Sequence, residues 1–174
     1  MQLVNLIKPT HICNLGCTYC YNDDERAPIM SDEVLSRSIE QSFEFARRVG
    51  KYDFIDFTWH GGEPMVAGLD FYERAVAYQQ KYSQGIKYSN NMQTNGVLIN
   101  DRWLDFFKHN EFSIGISIDG PKHLHDRYRV DLQGRGSFDR VMKGIDKVRQ
   151  AGLPFGVVVV ISRANIDYVE EIYD

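Results

Sequence analysis

Short apolar runs alternate with amphipathic stretches along the whole chain, and that alternation restricts the fold more than any other feature. Residues 3–7, 53–59, 86–93, 112–120 and 154–161 read as strands. Between the first two, Ser31 suits an N-cap and Asp32 and Glu33 suit the positive end of a helix. Leu35, Ile39, Phe43 and Ala46 then mark one face, and Gly50 suits the exit. Asp70 with Glu73 reads as a capping box before a face of Phe71, Ala75, Tyr78 and Tyr82. Asn100 opens a short helix to about His109, Ser137 caps one carrying Phe138, Val141, Ile145 and Val148, and Asn165 opens a fifth. Residues 121–136 read as a polar loop. Strands alternating with helices predict an α/β fold with a parallel sheet and right-handed crossovers. The fifth run, apolar on both faces, predicts a strand buried between covering layers.

The fourth strand specifies more. Phe112, Ile114, Ile116 and Ile118 share one face, while Ser113, Gly115, Ser117 and Asp119 share the other. In a barrel-like sheet the bulky face packs under helices and the small, polar face looks into the lumen, leaving room for a ligand. A half-exposed strand with one solvent face is the alternative. Each unusual motif follows a strand: the loop "HICNLGCTYCYN", "HGGEP", "QTNG" and "SIDGP". In parallel α/β folds that edge is where ligands bind.

Composition excludes several classes. Net charge is −4 with no basic block, which disfavours nucleic acid as a partner. The N-terminus lacks the pattern of a signal peptide, and no apolar stretch nears the roughly 18–20 residues a membrane span needs. The chain reads as soluble and cytoplasmic, without a membrane partner. Its three cysteines, an odd number, argue against a disulfide framework.

Those thiols, Cys13, Cys17 and Cys20, fall within eight residues. Thiolates select zinc, Cu(I) or iron–sulfur clusters. A cubane takes one cysteine per iron, so three leave one iron open to another ligand. Zinc with His11 or another histidine as fourth ligand is an alternative, and three unrelated buried thiols is the blandest. In "GGEP", Gly61 and Gly62 let the backbone approach a ligand, and Glu63 can accept hydrogen bonds from an ammonium group; a tight strand-to-helix turn explains the motif equally well. His60 is a ligand-facing group or a strand-end histidine. Asp119 binds a ribose hydroxyl or starts the Asp-Gly-Pro turn. Arg129 offers a planar fork for a carboxylate or makes a surface ion pair. Tyr19 and Tyr21 cover a cluster or a flat base, or simply pack.

The ordered set "CNLGCTYC", "WHGGEP", "QTNG" and "SIDGP…HDRYR…GSF" resembles the radical SAM enzymes over about residues 3–170. More narrowly it looks like the branch of anaerobic sulfatase-maturating enzymes and of peptide-modifying enzymes with a C-terminal SPASM domain. The resemblance implies a partial (β/α)6 barrel and a [4Fe–4S] cluster on Cys13, Cys17 and Cys20. S-adenosylmethionine would bind the open iron and be cleaved to a 5′-deoxyadenosyl radical that abstracts hydrogen from a peptide or protein. By position, Tyr19 would meet the adenine through its backbone, and Gly62 with Glu63, beside Gly61, would hold the methionine ammonium. Ser117 and Arg129, with Asp119 at the same strand end, would contact the ribose or carboxylate region, and Thr94 and Asn95 would line the pocket. A reductant such as a flavodoxin or ferredoxin is implied. No acid–base catalytic residue is singled out.

Two departures shape the expectation. Sulfatase maturases often carry glutamine before "GGEP", where this chain has His60, which tilts the expected reaction towards cross-linking or cyclisation of a ribosomally made peptide. Formylglycine generation in a sulfatase is the alternative. Second, the chain stops after the fifth strand and has no cysteine after Cys20. Residues 1–174 therefore read as a truncated, N-terminal catalytic part of the core domain, its last unit missing and without a SPASM or auxiliary-cluster domain. A catalytically inactive metal- or partner-binding module is the reading from another class.

Overall fold

The computed structural model describes residues 1–22, 28–163 and 165–173. Five strands, β1 (Gln2–Ile7), β2 (Phe54–Trp59), β3 (Lys87–Thr94), β4 (Phe112–Ser117) and β5 (Phe155–Val158), form one sheet in chain order. All four pairings are parallel. Between them run helices α1 (Asp32–Val49), α2 (Leu69–Ser83), α3 (Asp101–His109), α4 (Lys122–Tyr128) and α5 (Phe138–Gln150), with α6 (Val169–Tyr173) after β5. The parallel sheet predicted from the alternation forms, as the partial barrel that the resemblance implies.

Register follows the period of two. Ile55, Phe57 and Trp59 of β2 sit beside Tyr88, Asn90 and Met92 of β3, and Met92 and Thr94 sit beside Ile114 and Ile116 of β4. Most of this face is buried, and it meets the helices. The opposite, concave face carries Asp56, Asn91, Gln93, Ser113 and Ser117, the small and polar lumen that β4 predicted. Burying each large apolar side chain contributes roughly 1.5–3 kcal/mol. Aromatic rings dominate here: Tyr72 meets Trp59 at 5.3 Å and Trp103 at 5.5 Å, both edge-on. Its hydroxyl donates to the Pro64 carbonyl at 2.9 Å, so the core grips the turn that follows β2. The polar exceptions on the packed face satisfy each other. Trp59 Nε1 and Gln79 Nε2 both donate to Asn90 Oδ1 at 2.8 Å, and Asn90 returns a bond to Gln79 Oε1 at 3.0 Å.

Helix α1 begins and ends as its sequence requires. Ser31 Oγ accepts from the Val34 N–H at 3.3 Å, and Gly50 closes the helix with φ 73°. Four expectations need correction. Helix α2 starts two residues early with Gly68 at the cap, so Asp70 lies in its first turn and no capping box forms. Ser137 precedes α5 but makes no cap bond, because its hydroxyl donates to the Arg129 carbonyl. Strand β5 ends at Val158 and is an uncovered edge, with Val157 56% and Val158 44% exposed, where burial between layers was expected. Residues 121–136 contain α4, whose few apolar residues hide it from periodicity; Leu124 and His125 anchor it from below. At the far end Asn165 spans the preceding turn, accepting from Ser162 N–H at 2.7 Å, and a 3-10 turn at Ile166–Tyr168 leads into α6. Among the described residues, no helix is long and apolar enough to cross a membrane.

Candidate functional site

All five strand ends open onto one cavity of about 280 Å³. Its wall includes Cys13, Cys17 and Cys20 from the loop after β1, His60 to Gly62 after β2, Gln93 to Asn95 ending β3, Ser117 ending β4, and Val158 and Val160 around the end of β5. A larger hollow of about 460 Å³ runs along the β1 edge beside Val4, Leu6 and Phe45, but it gathers no set of reactive side chains.

The cysteine loop is fastened from two sides. Inward, the Gly62 and Glu63 N–H groups donate to the Thr10 and Ile12 carbonyls at 3.1 and 2.9 Å. Outward, the Gly16 and Thr18 N–H groups donate to the Val130 and Tyr128 carbonyls at 2.8 and 2.9 Å. These bonds explain the double glycine. A Cβ on Gly61 would strike the Thr10 carbonyl oxygen, and one on Gly62 would strike those of His11 and Ile12. The glycines thus permit contact with the cysteine loop itself, not only approach to a ligand. Because the obstructing atoms are backbone, Gly62→Ala is expected to destabilise the protein by about 2 kcal/mol and to lower bound iron, as read by urea unfolding and iron assay.

All three thiols are free. The Leu15 N–H points at Cys13 Sγ and the Asn22 N–H at Cys20 Sγ, each at 3.4 Å. Burial pushes the Cys13 thiol up to about 11, with Glu63 and the other cysteines adding to it against the Leu15 N–H. Burial also raises Cys17, opposed by Arg129. A bound cationic group would relieve that penalty, since thiolates are the ligating form. Soft donors with N–H groups directed at their sulfurs, around a cavity, fit an iron–sulfur cluster. Among the described residues, no three His, Cys, Asp or Glu side chains converge on a single metal ion.

Glu63 and Asp119, both expected at the ligand, stand behind the wall. Glu63, 1% exposed, accepts from Met65 N–H at 3.0 Å, Thr94 Oγ1 at 2.8 Å and Asn95 N–H at 2.8 Å. Burial pushes its carboxyl up to about 7 against those three donors. It therefore ties the turn after β2 to the end of β3. Asn95 extends the tie, donating through Nδ2 to Asn14 Oδ1 at 2.8 Å. Asp119, its side chain 3% exposed, accepts from the Tyr19 hydroxyl, from Arg129 Nε at 2.9 Å and from Val160 N–H at 3.0 Å. Arg129 also lies 5.5 Å from the Tyr19 ring centre. Burial opposes its charge, but Asp119, with Tyr19 and Cys17 adding to it, raises its pKa on balance. The guanidinium reaches the wall with its Nε already committed.

Ten of the sequence-predicted residues thus meet at one cavity: Cys13, Cys17, Tyr19, Cys20, Gly61, Gly62, Thr94, Asn95, Ser117 and Arg129. Sequence reasoning missed Gln93 and Asn22. Gln93 Nε2 donates to Ser117 Oγ at 3.1 Å, and its side chain fills the space a Cβ on Gly115 would need. The period of two in β3, which puts Gln93 on the same face as Asn91, was the available signal. Asn22 Nδ2 donates to the His11 carbonyl at 2.7 Å, spanning the cysteine loop. His60 accepts the Gly61 N–H at Nδ1, 2.7 Å away, which leaves the ring proton on Nε2. Burial, with Lys8 nearby, lowers its pKa.

Residues 7–174 match the family described as the Radical SAM superfamily. A serine-type anaerobic sulfatase-maturating enzyme of Bacteroides thetaiotaomicron is 37% identical over 177 residues, covering 97% of this chain and 42% of that protein. A cysteine-type anaerobic sulfatase-maturating enzyme of Clostridium perfringens is 34% identical, covering 97% of this chain and 46% of the other. Among solved structures, native anSMEcpe with bound AdoMet and Cp18Cys peptide superposes with a TM-score of 0.87 at 34% identity, over 99% of this chain and 47% of that one. The chain therefore spans less than half the length of these relatives.

Proposed function

Since the chain belongs to the radical SAM superfamily, we propose that Cys13, Cys17 and Cys20 hold a [4Fe–4S] cluster and that the cavity takes S-adenosylmethionine to abstract hydrogen from a peptide or protein. The observation that carries this is the convergence of three thiols, two of them facing backbone N–H groups, and one buried guanidinium on a single cavity. A cluster held by Cys13, Cys17 and Cys20 and reduced by an external one-electron donor would, with S-adenosylmethionine bound, supply the means of abstracting hydrogen from a C–H bond. The chain's own residues bind and orient. Arg129 offers its remaining N–H groups to the carboxylate. Gly61 and Gly62, backed by Glu63, face the ammonium. Ser117, set by Gln93, and the Tyr19 backbone meet the nucleoside. Thr94 and Asn95 fix the wall between. Asp119 serves this site through Tyr19 and Arg129.

Anaerobic reconstitution with iron and sulfide should give a brown protein that, with a strong reductant and S-adenosylmethionine, releases 5′-deoxyadenosine. One zinc per chain, no iron and no cofactor cleavage would instead mark a metal-stabilised binding module.

Within the enzyme class, His60 before the double glycine favours bond formation within a ribosomally made peptide. The names of the relatives favour a second reading, oxidation of a sulfatase serine or cysteine to an aldehyde. Mass analysis with an aldehyde-capturing hydrazide separates them on peptides bearing either side chain. Loss of two hydrogens with a new intrachain link and no captured aldehyde supports the first, and captured aldehyde the second.

A further inference from the structure

His125 is fully buried in α4, packs edge-on against Phe138 at 5.6 Å, and forms no part of the cavity wall. Its ring nonetheless joins two segments that do reach the wall. Nδ1 accepts the Asp119 backbone N–H at 3.3 Å, so the proton sits on Nε2. Nε2 then donates to Ser137 Oγ at 2.9 Å, and the Ser137 hydroxyl donates to the Arg129 carbonyl at 2.7 Å. The Ser137 N–H reaches the same carbonyl at 3.1 Å. Arg129 lies between Tyr128 and Val130, whose carbonyls hold Thr18 and Gly16 on either side of Cys17. A directed chain of hydrogen bonds thus runs from the end of β4, through an imidazole and a hydroxyl, to the backbone that carries the guanidinium and braces the thiol loop. Burial, with Arg129 adding to it, pushes the His125 pKa down to about 4 against Asp119 and Asp126, so the ring stays neutral and the direction of the chain is fixed. Packing alone would be served by an apolar ring, which could neither accept at one end nor donate at the other.

We propose that His125, acting through Ser137, is a positioning residue that sets the Arg129 backbone against the cysteine loop and so fixes where the guanidinium meets the carboxylate of S-adenosylmethionine. This rests on the cofactor site proposed above. The reconstituted protein is tested by equilibrium dialysis against labelled S-adenosylmethionine, with iron content and melting temperature read alongside. Ser137→Ala breaks the chain at its middle and is expected to weaken binding roughly tenfold with iron per chain unchanged. His125→Gln, which keeps a donor able to reach Ser137, should fall between Ser137→Ala and the wild type. The double variant should bind no more weakly than Ser137→Ala alone, because both act on one chain. Leu104→Ala on α3 supplies a matched loss of stability remote from the site and should bind as the wild type does. Affinity within about twofold of wild type for both Ser137→Ala and His125→Gln, or equal weakening in Leu104→Ala, overturns the proposal. A wild-type protein that takes up the cluster but binds no S-adenosylmethionine fails the cofactor site itself, and the positioning role with it.

Discussion

Cys17→Ala will leave the reconstituted chain with at least about tenfold less iron and sulfide than the wild type, and no release of 5′-deoxyadenosine. The expectation follows from where the sulfur stands. Cys17 lies at the cavity wall between two N–H···O bonds that hold its loop against residues 128–130. Burial raises its pKa, and Arg129 is the positive group that opposes that rise. Removing Cys17 leaves two thiols, too few to hold a cubane against chelation. The fold should survive, because Cys17 is only half-buried and truncating it opens little cavity; its melting temperature is the control. Cys13→Ala and Cys20→Ala should behave alike. A variant with wild-type iron content and full cofactor cleavage would remove the basis for the proposed cluster.

Asp119→Ala should be among the most damaging single changes to stability, costing about 3–5 kcal/mol by urea unfolding. It strands a guanidinium whose side chain is only 8% exposed, together with the Tyr19 hydroxyl and the Val160 N–H. A buried charge without its partner costs more than the pair contributes, so the loss should shrink when the charge is removed too. Asp119→Ala combined with Arg129→Leu is expected to be more stable than Asp119→Ala alone. Asp119→Asn keeps an acceptor and should lie between wild type and alanine. A loss below about 1 kcal/mol for Asp119→Ala would show that water reaches Arg129 freely.

The parts of the fold legible in sequence are those with local causes. Ser31 and Gly50 bound α1 because each acts on its own turn, and β4 shows its two faces because side chains alternate. The parts that stayed hidden depend on distant partners. Helix α4 has too few apolar residues to show a stripe and is held from below by Leu124 and His125. The exposure of β5 depends on what lies beside the sheet, which its own residues do not encode. Within the site, residue types and strand ends identified the wall, but not the division between wall and support. Glu63 and Asp119 have the chemistry of ligands; what assigns them behind the cavity is Asn95, 32 positions away, and Tyr19, 100 positions away. No local pattern carries that information. Ser137 likewise looks like a cap, and its hydroxyl is drawn off by a carbonyl eight residues earlier.

The two-sided fastening of the cysteine loop also sets an order of events during synthesis. The three thiols leave the ribosome well before their partners: the Tyr128 and Val130 carbonyls that clamp their loop, and Asp119 that takes the Tyr19 hydroxyl, follow about 100 residues later. At roughly 5–20 residues per second, the nascent thiols spend several seconds unclamped and open to oxidation or stray metal. Productive loading with iron and sulfur is accordingly a step for the folded chain, after β4 and α4 have closed over the loop, and a cell making this protein must keep its thiols reduced through that interval.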